Sequence, residues 1–343
     1  MEKFGYRFSF GPWNIHEGAD PFGPPVRPSR TFDDKLEVYK QLGFDAVQFH
    51  DDDAVPNLDE LSPAQIRAAA QAMRQKLSDA GLVAEFVAPR LWEDPRTTDG
   101  AFTANDPAVR AYAIDRAKKT MDIANELGAE LIVWWLAREG TYLREAKDGV
   151  AMTHRLVEAL NTMLEYDPHL RIAIEPKPNE PMDIAYIPTM GHGLALGNAT
   201  SQPERVGVLM ESAHAVLANL DPADEISFAL AFGKLWSVHL NDQNSLKYDQ
   251  DRAFGAVDVR RAFNQVRVLD ENEYWKIGMV GLDVKALRTQ PAELATKHLA
   301  NSLNMFLRLV QLSRSLDREA VAQFVATRDY DGLDWLILNH LLA

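Results

Sequence analysis

The chain has no cysteine. Disulfides, thiolate metal sites and thiol nucleophiles are therefore excluded. Basic residues are also in short supply: 36 Lys and Arg stand against 50 Asp and Glu, a net charge of −14. That balance argues against a nucleic-acid partner, because phosphate binding needs basic surface. No apolar run approaches the ~18 residues of a membrane span. The opening residues Met1-Glu2-Lys3-Phe4-Gly5-Tyr6 lack the apolar stretch of a signal peptide, so a cytoplasmic protein with no membrane partner is expected. Internal repeats and low-complexity segments are missing. So is a G-x-G-x-x-G loop after the first strand candidate, which counts against a nucleotide-binding open sheet.

What is present is 343 residues, 46% hydrophobic and 25% charged, enough to build one large α/β core. Strand-like segments are expected at Arg7–Trp13, Ala46–His50, Leu82–Ala88, Glu130–Trp135, Arg171–Glu175, Val206–Met210, Leu235–Leu240 and Ile277–Asp283. Helical segments separate them: Phe32–Leu42, Ser62–Ala80, Asn105–Leu127, Ala151–Tyr166, Pro222–Phe232, Val257–Val268 and Glu293–Ser313. Alternation predicts a parallel sheet, and eight strands predict a (β/α)8 TIM barrel over residues 1–314. Residues 315–343 lie beyond the eighth unit. They read as a C-terminal helical arm whose apolar side chains cover the barrel or a neighbouring subunit.

The most informative stretch is Ile172-Ala173-Ile174-Glu175-Pro176-Lys177-Pro178-Asn179-Glu180-Pro181. A buried apolar strand ends there in a carboxylate, an amine and prolines, and proline cannot continue a ladder. Other strands end in a similar way. His50 closes the second and opens His50-Asp51-Asp52-Asp53. Glu211 follows the sixth, with His214 three residues on. His239 is near the end of the seventh, followed by Asp249 and Asp251. Asp283 ends the eighth. In a barrel all these ends share one face. Five carboxylates and two histidines cannot crowd together without compensation. Two divalent cations would leave a single net negative charge. Oxygen donors suit Mg²⁺ or Mn²⁺, and imidazole shifts the balance towards Mn²⁺ or Co²⁺. Trp13, Trp92 and Trp135 also fall at or just after strand ends, where they suit a water-excluding cleft that presents flat faces to a polyol. Lys177 suits stabilisation of a developing oxyanion. His50 with Asp53 suits acid–base work.

These residues resemble the xylose isomerase family over nearly the whole chain. The landmarks are Phe8–Trp13, Asp20-Pro21-Phe22-Gly23, Phe49–Asp53, Gly100–Asp106, Arg138-Glu139-Gly140, the Glu175 stretch, Lys247–Asp251 with Phe254-Gly255, and Asn339–Leu342. The resemblance implies a metal-dependent aldose–ketose isomerase that opens a sugar ring and shifts a hydride between C1 and C2. It implies that Glu175, Glu211, His239 and Asp283 hold one ion, and that Glu211, His214, Asp249 and Asp251 hold a second. Lys177 would contact O1, and His50, oriented by Asp53, would assist ring opening. Trp13, Trp92 and Trp135 would line the sugar, and Phe22 would reach into a neighbouring subunit's site, which requires a homo-oligomer, dimer or tetramer. There are departures. His239 stands where the family has an aspartate, as in the similar L-rhamnose isomerases. Trp92 replaces a phenylalanine, Leu136-Ala137 a pair of glycines, and Met182 an arginine. D-Xylose or D-glucose is the simplest substrate. L-Rhamnose or another aldose, a metal-dependent epimerisation, and a non-catalytic sugar-binding role are the alternatives.

Overall fold

Segment boundaries fall largely where capping residues put them. The computed structural model describes residues 2–342; Met1 and Ala343, the outer ends of the two expected segments, lie outside the described residues. Helix α1 (Phe32–Leu42) starts after Thr31, which forms a capping box with Asp34, and stops at Gly43 in the left-handed region. Helix α2 (Pro63–Asp79) starts with the same device, Ser62 with Gln65. Helix α3 (Pro107–Leu127) is capped by Asp106 and ends at Gly128. The remaining barrel helices are α4 (Gly149–Tyr166), α5 (Met190–Asn198), α6 (Pro222–Ala231), α7 (Val259–Glu271) and α8 (Lys297–Ser315).

The barrel strands are β1 (Phe8–Phe10), β2 (Ala46–His50), β3 (Val83–Ala88), β4 (Leu131–Trp135), β5 (Arg171–Glu175), β6 (Val206–Glu211), β7 (Leu235–Leu240) and β8 (Val280–Leu282). They are nearly continuous apolar runs, as strands covered on both faces must be. All pair in parallel with their sequence neighbours, and β1 closes the ring on β8 with Phe8 opposite Val280. The expected (β/α)8 barrel is the fold. Phe86, Val133, Ala173 and Leu209 fill its interior. The larger core lies between strands and helices, with Trp134, Phe263 and Phe306 fully buried there.

Two strands and one helix depart most from the sequence expectation. Strand β1 is shorter because Gly11-Pro12 turns the chain into a short 3-10 segment, Pro12–Asn14. Strand β8 starts later because Tyr274–Lys276 forms another, and the Gly278 N–H bonds the Tyr274 carbonyl. Helix α5 was not expected at all. Its sequence carries three glycines, which disfavour helix. Two of them let the helix sit against the sheet: a Cβ at Gly193 would lie 3.0 Å from Val208 Cγ1, and one at Gly197 would lie 2.9 Å from Val206 Cγ1.

Beyond α8 run α9 (Arg318–Thr327) and α10 (Tyr330–Leu342). His340 Nε2 bonds the Leu312 carbonyl at 2.7 Å, and Val321, Ile337 and Leu341 pack on the core. Trp335 stays 64% exposed, so one face of this arm is uncovered in the single chain. No helix among the described residues is long and apolar enough to cross a membrane.

Candidate active site

The C-terminal strand ends surround a cavity of about 950 Å³. Glu175 is the last residue of β5 and Glu211 the last of β6. His239 sits in β7 in lateral register with Glu211, and Asp283 directly follows β8. His214 projects from the short helix Ser212–Leu217 that β6 runs into. Asp249 and Asp251 come from the loop after β7. All seven residues line the cavity.

Three groups within this set bring donor atoms within 4.8 Å of one another: Glu175, Glu211 and His214; Glu211, His239 and Asp283; Glu211, Asp249 and Asp251. Glu211 belongs to all three, so it stands between two clusters rather than at the edge of one. His239 Nδ1 lies 3.4 Å from Glu211, 3.5 Å from Glu175 and 3.9 Å from Asp283. His214 Nε2 lies 3.3 Å from Glu211 and 3.4 Å from Asp249. Asp249 Oδ1 and His214 Nδ1 are buried with no partner among the described residues. Orphaned buried acceptors inside a ring of carboxylates and imidazoles fit divalent cations.

The electrostatics show the strain that the cations would relieve. Burial pushes the Glu211 carboxyl up to about 7. Burial and then the neighbouring Asp249 push Asp251 up to about 7. Burial and Glu211 push Asp283 up to about 6. Burial acts upward on Glu175 too, but His239 and His214 outweigh it and hold that carboxyl down at about 2. Burial likewise works against the charged forms of His239 and His214. The carboxylates Glu175 and Glu211, respectively, prevail and raise both rings.

Two lysines are set into the acidic wall. Lys177 Nζ pairs with Asp249 Oδ2 at 2.7 Å and lies over the Trp135 ring at 5.4 Å. Lys285 Nζ pairs with Asp251 Oδ2 at 2.5 Å. Burial disfavours both charges, but the facing aspartates raise both amines above their ordinary range. Trp13 donates from Nε1 to Asp283 Oδ1 at 3.0 Å, and the Trp92 and Trp135 rings meet at 4.4 Å. The His50 ring lies 4.1 Å from Trp13, and its Nδ1 lies 3.0 Å from Asp53 Oδ2. Phe22 is the exception. It lies outside its own chain's cavity, 77% exposed, edge-on to Tyr248 at 5.3 Å. Asp51, beside His50 in sequence, is fully buried and bound to Arg116 and Thr120, so it serves the scaffold.

Several residues at the site have no role in the sequence reading. Asn241 donates to Glu211 at 2.9 Å and to Asp251 at 3.3 Å, and accepts from the Ala213 N–H at 2.7 Å. Arg138 holds the Trp92 carbonyl through Nε at 3.0 Å. Arg90 also lines the cavity. Each is a single polar residue after a strand, which a sequence cannot separate from a solvated loop residue.

Residues 36–304 match the model of the xylose isomerase-like TIM barrel family. The chain is 37% identical over 295 residues to the xylose isomerase of Thermus thermophilus, covering 84% of this chain and 75% of that one. Among solved structures it is similar in fold to a xylose isomerase domain protein from Alicyclobacillus acidocaldarius, with a TM-score of 0.61, 15% identity, and 90% and 99% of the two chains covered. A D-psicose 3-epimerase solved with D-fructose matches at a TM-score of 0.61 and 15% identity, over 88% of this chain and 97% of that one.

Proposed function

The chain belongs to the xylose isomerase-like TIM barrel family, and from that premise we propose that it is a metal-dependent aldose–ketose isomerase, of the D-xylose/D-xylulose or D-glucose/D-fructose type. The observation that carries this reading is the position of Glu211 at the junction of the three donor groups. One ion would be held by Glu175, Glu211, His239 and Asp283, the other by Glu211, His214, Asp249 and Asp251. Bound there, divalent ions would supply Lewis-acid polarisation of sugar oxygens.

The protein's own groups account for the rest. Lys177, kept charged by Asp249, would stabilise negative charge developing on the sugar's O1. His50, held against Trp13 and next to Asp53, would assist ring opening. Trp13, Trp92 and Trp135 would exclude water and stack on the sugar. Phe22, exposed on a Pro-rich loop, would enter a neighbouring subunit's cavity in a homodimer or homotetramer.

A different aldose, such as L-rhamnose, is the second reading. It is favoured by the imidazole of His239 among the ligands and by Trp92 at the cavity wall. Chelator-stripped enzyme reloaded with Mn²⁺, Co²⁺ or Mg²⁺ and incubated with a panel of aldoses and ketoses, read by chromatography, tests both. Interconversion of one aldose–ketose pair is expected. A C3 epimer as the sole product would replace the isomerase reading with an epimerase.

A further inference from the structure

Arg90 follows β3 at the cavity wall, and its side chain is locked. Its backbone N–H bonds Asp51 Oδ1 at 3.2 Å. Its Nε lies 3.1 Å from Asp52, Nη2 2.9 Å from Asp53 Oδ1 and Nη1 3.6 Å from Glu93. Burial works against the guanidinium charge, but Asp53 and Asp52 outweigh it. The same Nη2 also lies 2.5 Å from His50 Nδ1.

A guanidinium has five donors and no acceptor. A hydrogen bond at that distance therefore needs a lone pair on Nδ1. Nδ1 is also 3.0 Å from Asp53 Oδ2, and a hydrogen bond there needs a proton on Nδ1. The neutral ring can satisfy only one of the two. Both contacts are charge-assisted, since Arg90 brings a charged donor and Asp53 a charged acceptor; what separates them is that an Nδ1–H ring would set two N–H donors against each other at 2.5 Å. Asp53 does not go short when Arg90 wins, because Oδ1 accepts from Arg90 and Oδ2 accepts from the His50 backbone N–H at 3.3 Å.

We infer that Arg90 is a positioning residue that fixes neutral His50 as its Nε2–H tautomer, taking over from Asp53 the control of where that proton sits. The hydrogen bonds of the His50 ring are both at Nδ1, and the residue lines the cavity, which leaves Nε2 as the ring nitrogen for a ligand there. The ring then offers a bound sugar a donor. It does not offer a lone pair to take a hydroxyl proton. Trp13 at 4.1 Å and Trp92 edge-on at 5.0 Å keep the ring from turning away. The consequence for a sugar rests on the proposed isomerase function; the tautomer does not.

The test is a long-range ¹H–¹⁵N correlation on full-length metal-free enzyme with ¹⁵N-histidine, at a pH where the His50 ring is neutral, assigned through His50→Gln. The native protein should show a lone-pair Nδ1 and a protonated Nε2. Asp53→Asn should leave that pattern unchanged, and Arg90→Met should invert it as Asp53 takes the Nδ1 proton. A protonated Nδ1 in the native enzyme, or a tautomer that moves with Asp53→Asn alone, would overturn the inference. If Arg90→Met fails to fold, the first two measurements still decide. Failure to isomerise any sugar would defeat the proposed function and leave the tautomer result standing.

Discussion

Glu211 and His239 sit opposite each other on adjacent parallel strands, β6 and β7, with Nδ1 of the ring 3.4 Å from Oε2 of the carboxylate. Side chains in lateral register on a barrel point to the same layer. The pair is therefore placed by strand register and not by a loop, and Glu211 cannot leave its position between the two donor groups without moving β6. That rigidity, and the charge it gathers, govern how the site responds to substitution, pH and metal.

Lys177 is the first. Its amine is buried, stacked near Trp135 and paired with Asp249. Lys177→Met fills a similar volume without charge. It should keep the fold and bind divalent metal, and lower turnover by about 10²–10³-fold, the usual cost of losing an oxyanion stabiliser. Circular dichroism, metal analysis and steady-state kinetics on the same preparation check this. Near-normal turnover would remove Lys177 from the reaction.

The second concerns pH and metal. Glu211, Asp251 and Asp283 are pushed up to about 7, 7 and 6, from ordinary values of 4.5, 3.8 and 3.8. Between pH 4 and 7 the folded metal-free protein thus holds protons on these groups that the unfolded chain has lost. Its stability falls as pH rises through that window. His239 and His214, with raised pKa, act with the same sign from their ordinary value of 6.5 upward. Glu175 and Asp249, held low, oppose this only near and below their ordinary values of 4.5 and 3.8. Metal-free protein should therefore melt at a higher temperature at pH 6 than at pH 8. Added Mn²⁺ should raise the melting temperature more at pH 8, because the ligands must be deprotonated to bind. Calorimetric scans at both pH values, with chelator and with Mn²⁺, decide it. Equal metal stabilisation at the two would mean that the cluster is not the binding site.

Glu139 is the third, and it concerns stability. The carboxylate is 2% exposed and accepts from the N–H groups of Ala101, Phe102 and Thr103 at 3.1, 2.8 and 2.9 Å. It pins the loop that packs Phe102 on Trp134 at 4.8 Å. Glu139→Ala leaves these three buried N–H groups and the Thr103 hydroxyl without their acceptor and should cost about 3 kcal/mol. Urea unfolding measures it, and a loss below 1 kcal/mol would mean that the loop finds other partners.

Assembly is the fourth. Phe22 and Trp335 are 77% and 64% exposed, and Leu342 is 82% exposed. Large apolar groups left uncovered by their own chain mark interfaces. Light scattering at micromolar concentration should give a dimer or tetramer, and a monomer would count against Phe22 acting in another chain's cavity.

Much of this was legible because strand ends carry chemistry in this sequence. The abrupt stop at Glu175-Pro176 and the acids at or after the ends of β6, β7 and β8 are local signals, and local signals survive without coordinates. Long-range pairings are different. Glu139 reads as a loop acid, and only the fold reveals that it collects three backbone donors from a segment 36 to 38 residues away. Arg90 reads as a solvated base until β2 and β3 bring it against His50. Helix α5 was hidden because glycine spacing looks like a turn until the approach to Val206 and Val208 is known.

His239 bears on the choice of metal. Its Nδ1 faces Glu175, Glu211 and Asp283, so in the proposed site it contributes a neutral nitrogen where an aspartate would contribute a charged oxygen. Mg²⁺ favours oxygen ligands and a high charge count, whereas Mn²⁺ and Co²⁺ accept imidazole readily. The native enzyme should therefore be clearly more active with Mn²⁺ or Co²⁺ than with Mg²⁺. His239→Asp restores the charge and the hard donor, and should move the ranking towards Mg²⁺. Its shorter side chain also leaves the neighbouring Phe86, 5.8 Å from the native ring, less well packed, so a small loss of thermal stability should accompany the change. Activity and calorimetric affinity for each metal, measured on chelator-stripped native and variant protein side by side, separate the effects. An identical ranking of metals in the two proteins would show that His239 does not govern metal choice, whatever the loss in rate.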